Sequence, residues 1–427
     1  MTMYRSSFSM FALLALLSSS RAQTEVHQVL VLNEGYYDFN TQMQMVPVTL
    51  GSYDPLGMTY QTVATITGAR FATDVQVHDG AIYVAADDQL LKYDPDTYQL
   101  LGQAAVTGIR KLAFWNDQVL ITRGESGGLD HYFEVRDATT LDPVYSIDPA
   151  GGLIHSAEDV EVLGDKAYLA VNNAFDWDDL VGYVGIIDLQ TQSYMGSIDL
   201  GPDGLDPEHI MVAPTGMYVL NNKDFTSSSI SRVDPAGEQL LFTQNVALSS
   251  GCGASALGGE KIYFMEYAVG HLARWDLTTE QVADTLPTSP ASYGLIADPV
   301  NEVFYATTTD FTTTGDLHVL DPDGNEITSV AVGVAPGNLA LDLRAANGIA
   351  GTQHPALQVH PTIAEDLVQV DHLRPGQRYE VIDTAGRKLA TYTATPGGTW
   401  QIDVSGFAAG TFLLCTEGRD VGRFVKR

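Results

Sequence analysis

The sequence has few cysteines, few basic residues in most of its length and no long apolar run. Only Cys252 and Cys415 occur in 427 residues, so disulfides cannot form the dense framework that stabilises small secreted folds. No stretch after residue 22 approaches 18 uninterrupted apolar residues, which predicts a soluble mature chain. Stability must come from packing, and a mature chain of roughly 405 residues can bury more than one core.

The shortage of basic residues is confined to one part of the chain. Residues 23–356 hold 45 Asp and Glu against 12 Lys and Arg, whereas residues 357–427 hold eight of each. A net charge of −33 on residues 23–356 argues against binding to nucleic acid or to an anionic membrane, because both carry dense negative charge. The change in composition also predicts a domain boundary near residue 356.

Motifs for metal-assisted or nucleophilic chemistry are absent as well. No His-Glu-x-x-His, Cys-x-x-Cys or phosphate-binding glycine loop occurs, and the ten histidines do not cluster at metal-ligand spacing. Ser126 lies in a Gly-x-Ser-x-Gly pattern, but a nucleophile elbow joins a strand to a helix, and strands are predicted on both sides here. We therefore expect no metal, no cofactor and no catalytic residue, and we favour a protein that is not an enzyme.

The first 22 residues have the order of segments typical of a cleavable signal peptide. Arg5 precedes an apolar run over residues 10–17, and small residues at Ser20 and Ala22 would precede a cut before Gln23. The apolar run is too short to span a bilayer. Because residue 23 is Gln and not Cys, a lipid-modified N-terminus is not expected.

The segment after the leader shows almost no helical periodicity. Short runs rich in Val, Ile, Tyr and Leu recur between turn residues, which predicts an all-β fold. The pattern "apolar strand, loop, apolar strand, Asp" repeats seven times. The copies pair Val29–Asn33 with Met45–Thr49, Ala81–Ala85 with Leu90–Asp94, Val119–Thr122 with Tyr132–Asp137, Lys166–Val171 with Tyr183–Asp188, Met217–Leu220 with Ser229–Asp234, Lys261–Met265 with His271–Asp276, and Glu302–Ala306 with Asp316–Asp321.

The aspartates that end six of these copies recur at intervals of 43, 51, 46, 42 and 45 residues, the spacing expected of propeller blades. Asp side chains can hydrogen-bond the backbone two residues on, so each predicts a tight turn between a third and a fourth strand. The first copy starts at its second strand, and residues 337–343 form an unpaired inner strand after the last copy. Pairing these two ends would close a seven-bladed ring without exposed edges.

The propeller repeats resemble the YVTN-like propeller superfamily. The resemblance is carried by residues 29–35 (VLVLNEG), residues 82–85 (IYVA), residues 207–212 (PEHIMV) and the Tyr-Asp-Pro turn at residues 93–95. Within this superfamily the opening is similar to surface propellers of Gram-negative bacteria, some of which capture cobalamin. The resemblance implies the fold and leaves the ligand open, because propellers serve many functions.

The C-terminal region resembles the type A sorting domain that the type IX secretion system recognises. The matching segments are residues 359–367, 379–386 (YEVIDTAG), 402–411 (IDVSGFAAGT) and 423–427, although Pro361-Thr362-Ile363-Ala364 stands where the family has Pro-Asn-Pro-Ala. The same residues alternate apolar and polar between glycines, which predicts a small β-sandwich. The predicted domains are a signal peptide (1–22), a seven-bladed β-propeller (23–345), a linker (346–356) and the sorting domain (357–427).

A ligand would bind where second strands end and inner strands begin, because these points share one face of a propeller. Polar and aromatic residues in those loops are the candidate ligand-binding set: Asn33, Glu34, Tyr36, Arg123, Asn172, Asn173, Trp177, Asn221, Asn222, Tyr267 and Tyr293. Such side chains suit a sugar or a corrinoid-sized molecule. The alternative for the Asn-Asn pairs is a purely structural role in turns.

The sequence therefore predicts a secreted or cell-surface, non-catalytic propeller that captures a nutrient such as a glycan or a corrinoid. Its expected partners are the type IX secretion machinery and an unknown small molecule or glycan, with no nucleic acid, and association with the outer-membrane surface is left open. One alternative is an extracellular propeller enzyme of lactonase, lyase or quinoprotein type, for which Asp74, Glu158 and Asp159 are the candidate acids. A structural or adhesive surface component is a further alternative.

Overall fold

The computed structural model describes residues 24–124, 128–176, 178–223, 227–247, 254–345, 358–361, 363–371, 373, 377–383, 386–395, 399–416 and 419–427. Within these ranges the chain forms β-strands and a 3₁₀ turn at Pro149–Gly151. No helix in the described ranges is long and apolar enough to cross a membrane. The all-β prediction is confirmed.

The strands of the N-terminal part form seven four-stranded antiparallel sheets among the described residues. Blade 1 contains β1 (Thr24–Asn33), β4 (Val48–Asp54), β5 (Thr59–Ile66) and the late strand β30 (Pro336–Ala345), with a hairpin of β2 (Tyr36–Asp38) and β3 (Met43–Val46) inserted after β1. Blade 2 contains β6 (Asp74–His78), β7 (Ala81–Ala86), β8 (Gln89–Tyr93) and β9 (Leu100–Ala105). Blade 3 contains β10 (Ile109–Trp115), β11 (Gln118–Arg123), β12 (Phe133–Asp137) and β13 (Pro143–Ser146). Blade 4 contains β14 (Ala157–Leu163), β15 (Lys166–Val171), β16 (Tyr183–Asp188) and β17 (Ser193–Asp199).

The remaining three blades follow the same order from the inner to the outer strand. Blade 5 contains β18 (Pro207–Ala213), β19 (Gly216–Asn221), β20 (Ser228–Asp234) and β21 (Gln239–Val246). Blade 6 contains β22 (Ser255–Gly258), β23 (Lys261–Glu266), β24 (His271–Asp276) and β25 (Gln281–Thr285). Blade 7 contains β26 (Gly294–Asp298), β27 (Val303–Thr308), β28 (Thr314–Leu320) and β29 (Glu326–Val334).

The two ends of the repeat region pair with each other in blade 1. Strand β30 supplies the inner strand and runs antiparallel to β1, with Leu341 opposite Val29 and Leu339 opposite Val31. The inner strands β30, β6, β10, β14, β18, β22 and β26 follow one another as neighbours and return to β30. The predicted closure of the ring by the late strand is confirmed.

The core lies between the blades because each sheet has a neighbour on both faces. A middle strand such as β7 is buried at every position, so it consists of apolar residues throughout (AIYVAA). An outer strand such as β9 alternates between exposed and half-buried residues and contains Gln103 among small and apolar side chains. Each apolar cluster draws on two adjacent blades, as where Tyr83 of blade 2 packs with Val119 and Ile121 of blade 3.

The aspartates at the ends of the third strands make the predicted turns. Asp94 Oδ1 accepts hydrogen bonds from the Asp96 and Thr97 backbone N–H groups at 3.0 and 2.7 Å. Equivalent bonds are made by Asp137, Asp188, Asp234, Asp276 and Asp321. A seventh, Asp54, accepts from the Leu56 N–H at 2.8 Å and was missing from the predicted series.

The predicted third strand of blade 1 is wrong. The sequence pattern predicts this strand at residues 45–49, but β3 ends at Val46 in the inserted hairpin, and the third strand is β4, which ends at Asp54. The inserted hairpin lengthens the segment between the second and third strands of blade 1, so that the sequence repeat does not identify Asp54 as the turn aspartate. With Asp54 included, every blade ends its third strand in the same way.

The C-terminal part forms two sheets that share one apolar core, as expected of a β-sandwich. One sheet has the order β31 (Gln358–His360), β33 (Leu367–Asp371) and β36 (Trp400–Asp403). The other has the order β32 (Ile363–Ala364), β38 (Arg419–Lys426), β37 (Gly410–Thr416), β34 (Arg378–Asp383) and β35 (Lys388–Thr393). Val368 of the first sheet packs with Val381, Phe412 and Phe424 of the second.

Candidate functional site

Two faces of the propeller differ in chemistry. We call the face where second strands end and inner strands begin the top face, and the opposite face, which carries the turn aspartates, the bottom face. Apolar side chains in the top-face loops are exposed at Phe39, Ile154, Tyr267, Val269 and Phe311. Exposed aliphatic residues also occur on the bottom face, as at Leu56, but the exposed aromatic residues among the described ones lie in the top-face loops. Because aromatic rings offer flat apolar faces to a ligand, the top face is where a site is expected.

Several predicted site residues are buried in the blades. Asn33 is fully buried, and its Nδ2 donates to Thr49 Oγ1 at 3.1 Å and to Tyr60 OH at 2.9 Å, while its Oδ1 accepts from the Gly333 N–H. Asn221 is also fully buried and donates to Ser229 Oγ and Ser231 Oγ, both at 2.9 Å. The Asn221 amide holds strands together within blade 5, whereas the Asn33 amide holds strands together within blade 1 and also bonds to blade 7.

Other predicted residues stabilise the loops that carry them. Asn172 is buried and accepts from the Ala174 N–H, and Asn173 donates to the Asp179 carbonyl at 2.9 Å. Asn222 is buried and accepts from Ser228 Oγ. Arg123 is buried and donates to the Thr107 carbonyl and to Asp130.

The remaining predicted residues reach solvent or lie outside the described ranges. Tyr267 is 67% exposed, and Tyr36 is half-buried at the base of the inserted hairpin. Glu34 and Tyr293 are half-buried and joined, since Tyr293 OH donates to Glu34 Oε1 at 2.8 Å. Trp177 lies outside the described residues, as does Ser126 of the Gly-x-Ser-x-Gly pattern.

The acids proposed for the enzyme alternative connect neighbouring blades. Asp74 Oδ2 accepts from the Leu112 N–H at 2.8 Å, and Asp159 Oδ2 accepts from the Ile210 N–H at 2.7 Å. Each bond joins the inner strand of one blade to that of the next. Thr307 makes the corresponding link at the seam, where its hydroxyl donates to the Pro336 carbonyl and accepts from the Gly294 N–H.

A pocket of about 260 Å³ opens on the top face above blades 2, 3 and 4. It is lined by three phenylalanines, two arginines, one aspartate, one isoleucine and two glycines: Phe39, Phe71, Phe175, Arg70, Arg110, Asp87, Ile109, Gly108 and Gly124. Phe39 comes from the turn of the inserted hairpin of blade 1, and Phe175 comes from the loop after β15. Four blades therefore contribute to one pocket.

Both arginines of the pocket form two-pronged pairs with a carboxylate. Arg70 donates through Nε and Nη2 to Asp87, and Arg110 donates through Nε and Nη2 to Glu158 at 2.8 Å each. Burial raises the pKa of Asp87 and of Glu158, but the adjacent guanidinium outweighs burial and holds each pKa below its usual value. The two pairs are therefore ionised at neutral pH, and each has no net charge.

Aromatic rings lie over the same two guanidinium groups. The Arg110 guanidinium carbon is 5.6 Å from the centre of the Phe175 ring, and that of Arg70 is 5.4 Å from the Phe71 ring. Gly124 makes room for Phe175, because a Cβ at residue 124 would lie 2.8 Å from a Phe175 ring atom. The result is a wall of rings beside planar polar groups.

Two carboxyl groups near the channel mouth, those of Glu34 and Glu158, have pKa values shifted in opposite directions. Burial raises the pKa of Glu34 to about 7, and the hydrogen bond from Tyr293 and the charges of Lys111 and Arg110 offset only part of this. Lys111 Nζ connects blade 3 to blades 2 and 1, since it donates to the Thr73 carbonyl at 2.7 Å and to Asn338 Oδ1 at 2.8 Å. Glu34 is thus partly protonated at neutral pH, whereas Glu158 is ionised.

A second pocket of about 570 Å³ lies on the bottom face beside the seam of blade 1. Its polar wall is mainly acidic, and the carboxylates have structural roles, because Asp94 makes its turn while Asp96 and Asp342 pair with Arg344. No aromatic ring lines it. The pocket on the top face is smaller but combines rings with hydrogen-bonding groups, so we take it as the candidate site.

Sequence reasoning missed most of this pocket. Phe39, Arg70 and Phe71 were not among the predicted residues, because they are distant in sequence and meet only when the blades close. One signal was present: of the 12 basic residues in residues 23–356, five fall within 54 positions, namely Arg70, Lys92, Arg110, Lys111 and Arg123. In so acidic a chain, that concentration marks blades 2 and 3. Among the described residues no group of three or more His, Cys, Asp or Glu side chains could hold a metal ion.

No family model and no curated protein matches the sequence. Solved structures do match the fold. Hydrazine synthase of Kuenenia stuttgartiensis is 14% identical with a TM-score of 0.53, over 65% of this chain and 93% of that chain. The extracellular domain of a one-component system from B. thetaiotaomicron is 10% identical with a TM-score of 0.51, over 95% of this chain and 59% of that chain. At these identities the likeness shows a propeller-like fold alone.

Proposed function

We propose that this chain is a non-catalytic propeller that binds a glycan outside the cell. The observation that carries the proposal is the top-face pocket, in which three phenylalanines lie beside Arg70, Asp87 and Arg110, and in which each arginine is paired with a carboxylate. Aromatic faces pack against the C–H groups of a sugar ring, and guanidinium and carboxylate groups hydrogen-bond its hydroxyls. Both kinds of contact meet in one cavity.

The size and charge of the pocket favour a neutral sugar over a corrinoid. A volume of about 260 Å³ lies below the roughly 300–1,000 Å³ typical of sites for drug-sized ligands, and a corrinoid is larger than most drugs. Because each arginine is neutralised by a carboxylate, the pocket offers little attraction to a free anion. A single neutral sugar ring, at the end of a chain or alone, fits both properties.

Binding is tested by isothermal titration calorimetry with neutral glycans and a corrinoid as probes. Phe175→Ala removes a ring that also packs on Arg110, and a lost aromatic contact of about 0.5–1.5 kcal/mol weakens binding roughly 2- to 12-fold. Leu241→Ala, at an exposed site on the outer strand of blade 5, is the matched control and leaves the Kd unchanged. Equal affinity of wild type and Phe175→Ala for a bound glycan would mean that the sugar binds elsewhere.

The alternative is an extracellular propeller enzyme of lactonase, lyase or quinoprotein type. One observation favours it: Glu34 and Glu158 lie near the same arginine and have pKa values pushed in opposite directions, the arrangement that acid–base catalysis needs. Turnover of a lactone or of an acidic polysaccharide by the wild type, lost in Glu34→Gln, would establish this alternative. Binding of a neutral glycan without turnover supports the first proposal.

Export by the type IX secretion system completes the proposed function. It is supported by the leader-like order of residues 1–22, by the motifs of residues 357–427, and by the two-sheet fold of the C-terminal part. One structural neighbour is itself an extracellular domain. In a bacterium that has this secretion system, deletion of residues 357–427 should retain the propeller in the periplasm, and its continued appearance in the medium or on the surface would refute this route.

A further inference from the structure

Phe311 is held in an exposed and strained position on the top face of blade 7. Its side chain is 51% exposed and its φ is +65°, a conformation that bulky residues rarely adopt. The preceding Asp310 fixes the turn, since its carboxylate accepts from the backbone N–H groups of Thr312 and Thr313 at 2.9 and 2.7 Å. The turn thus keeps an aromatic ring in contact with water.

Phe311 contacts two polar residues at the channel mouth, Tyr293 directly and Glu34 through Tyr293. Its ring packs edge-on against Tyr293 with 4.9 Å between ring centres, and Tyr293 OH donates to Glu34. The absence of a side chain at Gly337 leaves space for the hydrogen bond between Tyr293 and Glu34. A Cβ at residue 337 would lie 2.1 Å from Glu34 Oε1 and 2.9 Å from the Tyr293 ring. A ring face, a phenol and a carboxyl group that is partly protonated at neutral pH meet at one point.

The inserted hairpin of blade 1 connects this point to the top-face pocket. Its base is at Glu34, and Phe39 in its turn lines the pocket. Five residue steps separate the two, and at about 3.3 Å per step in an extended strand the separation is at most roughly 17 Å. In the ring of seven blades, Phe311 and Tyr293 belong to blade 7, whereas Phe71, Arg110 and Phe175 belong to blades 2 to 4 or their loops.

We propose that Glu34, Tyr293 and Phe311 form a second sugar subsite across the channel mouth from the pocket, so that the natural ligand is an oligosaccharide that occupies both. This inference rests on the proposed glycan-binding function and specifies its ligand as a chain of several sugar rings. The two groups of aromatic residues lie on loops of different blades, and a chain of sugar rings can contact both at once. A chain can lie along the hairpin, with one ring on Phe175 and another on Phe311.

The experiment compares a monosaccharide with its hexamer in calorimetry, using glucose and cellohexaose, xylose and xylohexaose, and mannose and mannohexaose as probes. For a series that binds, the hexamer is expected to bind at least tenfold more tightly than the monomer to the wild type. Phe311→Ala should weaken the hexamer roughly 2- to 12-fold, the range for one aromatic contact, and leave the monomer unchanged. Phe311→Tyr keeps the ring and should retain hexamer affinity.

The possible outcomes distinguish failure of the second subsite from failure of the proposed glycan-binding function. If Phe175→Ala weakens binding but Phe311→Ala does not change hexamer affinity, the second subsite is refuted and the pocket stands. Equal affinity for monomer and hexamer also refutes it. If no series binds, the glycan-binding proposal fails and the subsite fails with it. Unchanged thermal unfolding of Phe311→Ala confirms that a lost affinity does not come from loss of the fold.

Discussion

Replacement of Glu34 by Gln should change how the stability of the propeller depends on pH. Burial raises the pKa of Glu34 in the folded chain to about 7, against the usual value of 4.5 for this side chain. The folded state therefore binds the proton more tightly than the unfolded state. Below pH 4.5 the Glu34 carboxyl is protonated in both states and does not lower the free energy of unfolding. As the pH rises from 4.5 to 7 it lowers this free energy increasingly, and above pH 7 the reduction is constant.

The size of the effect follows from the same values. The pKa difference between folded and unfolded chains, at 1.36 kcal/mol per pH unit, corresponds to at most about 3 kcal/mol, and partial contact of Glu34 with solvent makes the true figure smaller. Glu34→Gln keeps the shape and an oxygen that can accept the Tyr293 hydrogen bond, but removes the charge. The variant should match the wild type at pH 4.5 and be more stable at pH 8 by up to this amount.

Urea unfolding followed by circular dichroism at pH 4.5, 6, 7 and 8 measures the difference directly. Glu25→Gln, at an exposed position on the same strand β1, is the matched control and should unfold in parallel with the wild type. If the free energy of unfolding of Glu34→Gln runs parallel to that of the wild type from pH 4.5 to 8, the reasoning about a half-buried, largely uncompensated carboxyl group is refuted.

Three further predictions concern the seam, the pocket and the Phe311 turn. Thr307→Val removes a buried hydroxyl that bonds both Gly294 and Pro336, which should lower the free energy of unfolding by about 1–3 kcal/mol; a Tm equal to that of the wild type would contradict a structural role. Gly124→Ala places a Cβ 2.8 Å from the Phe175 ring, so calorimetry should show weaker glycan binding with unchanged stability, and unchanged affinity would contradict the pocket. Asp310→Ala removes the hydrogen bonds that fix Phe311, so hexamer affinity should fall while monomer affinity holds; loss of both would place the effect in the pocket instead.

Much of the fold could be predicted because it depends on local chemistry. A turn aspartate such as Asp94 bonds residues two and three positions away, so the sequence spacing of these aspartates marks the blades directly. The late strand was recognisable because residues 337–343 had no partner in the repeat. The error in blade 1 also has a local cause, since the inserted hairpin interrupted the repeat before Asp54.

The site could not be predicted to the same extent because it depends on contacts between distant residues. Asn33 follows a strand and looks accessible, yet Tyr60 and Gly333 cover it. Phe39 and Phe175 are 136 positions apart and share a pocket only after several blades have assembled. Of the predicted residues, Glu34 and Tyr293 meet at the channel mouth, and no local pattern distinguished them from the asparagines that are buried.

The pairing of β1 with β30 determines how the propeller is tethered. Strand β30 begins on the top face at Pro336 and ends on the bottom face at Ala345, opposite Thr24. The chain therefore enters and leaves the ring at one point on the face that carries the turn aspartates. A connection through the segment after Ala345 therefore leaves from the bottom face, so that the aromatic residues of the top face stay clear of the point where the ring is tethered.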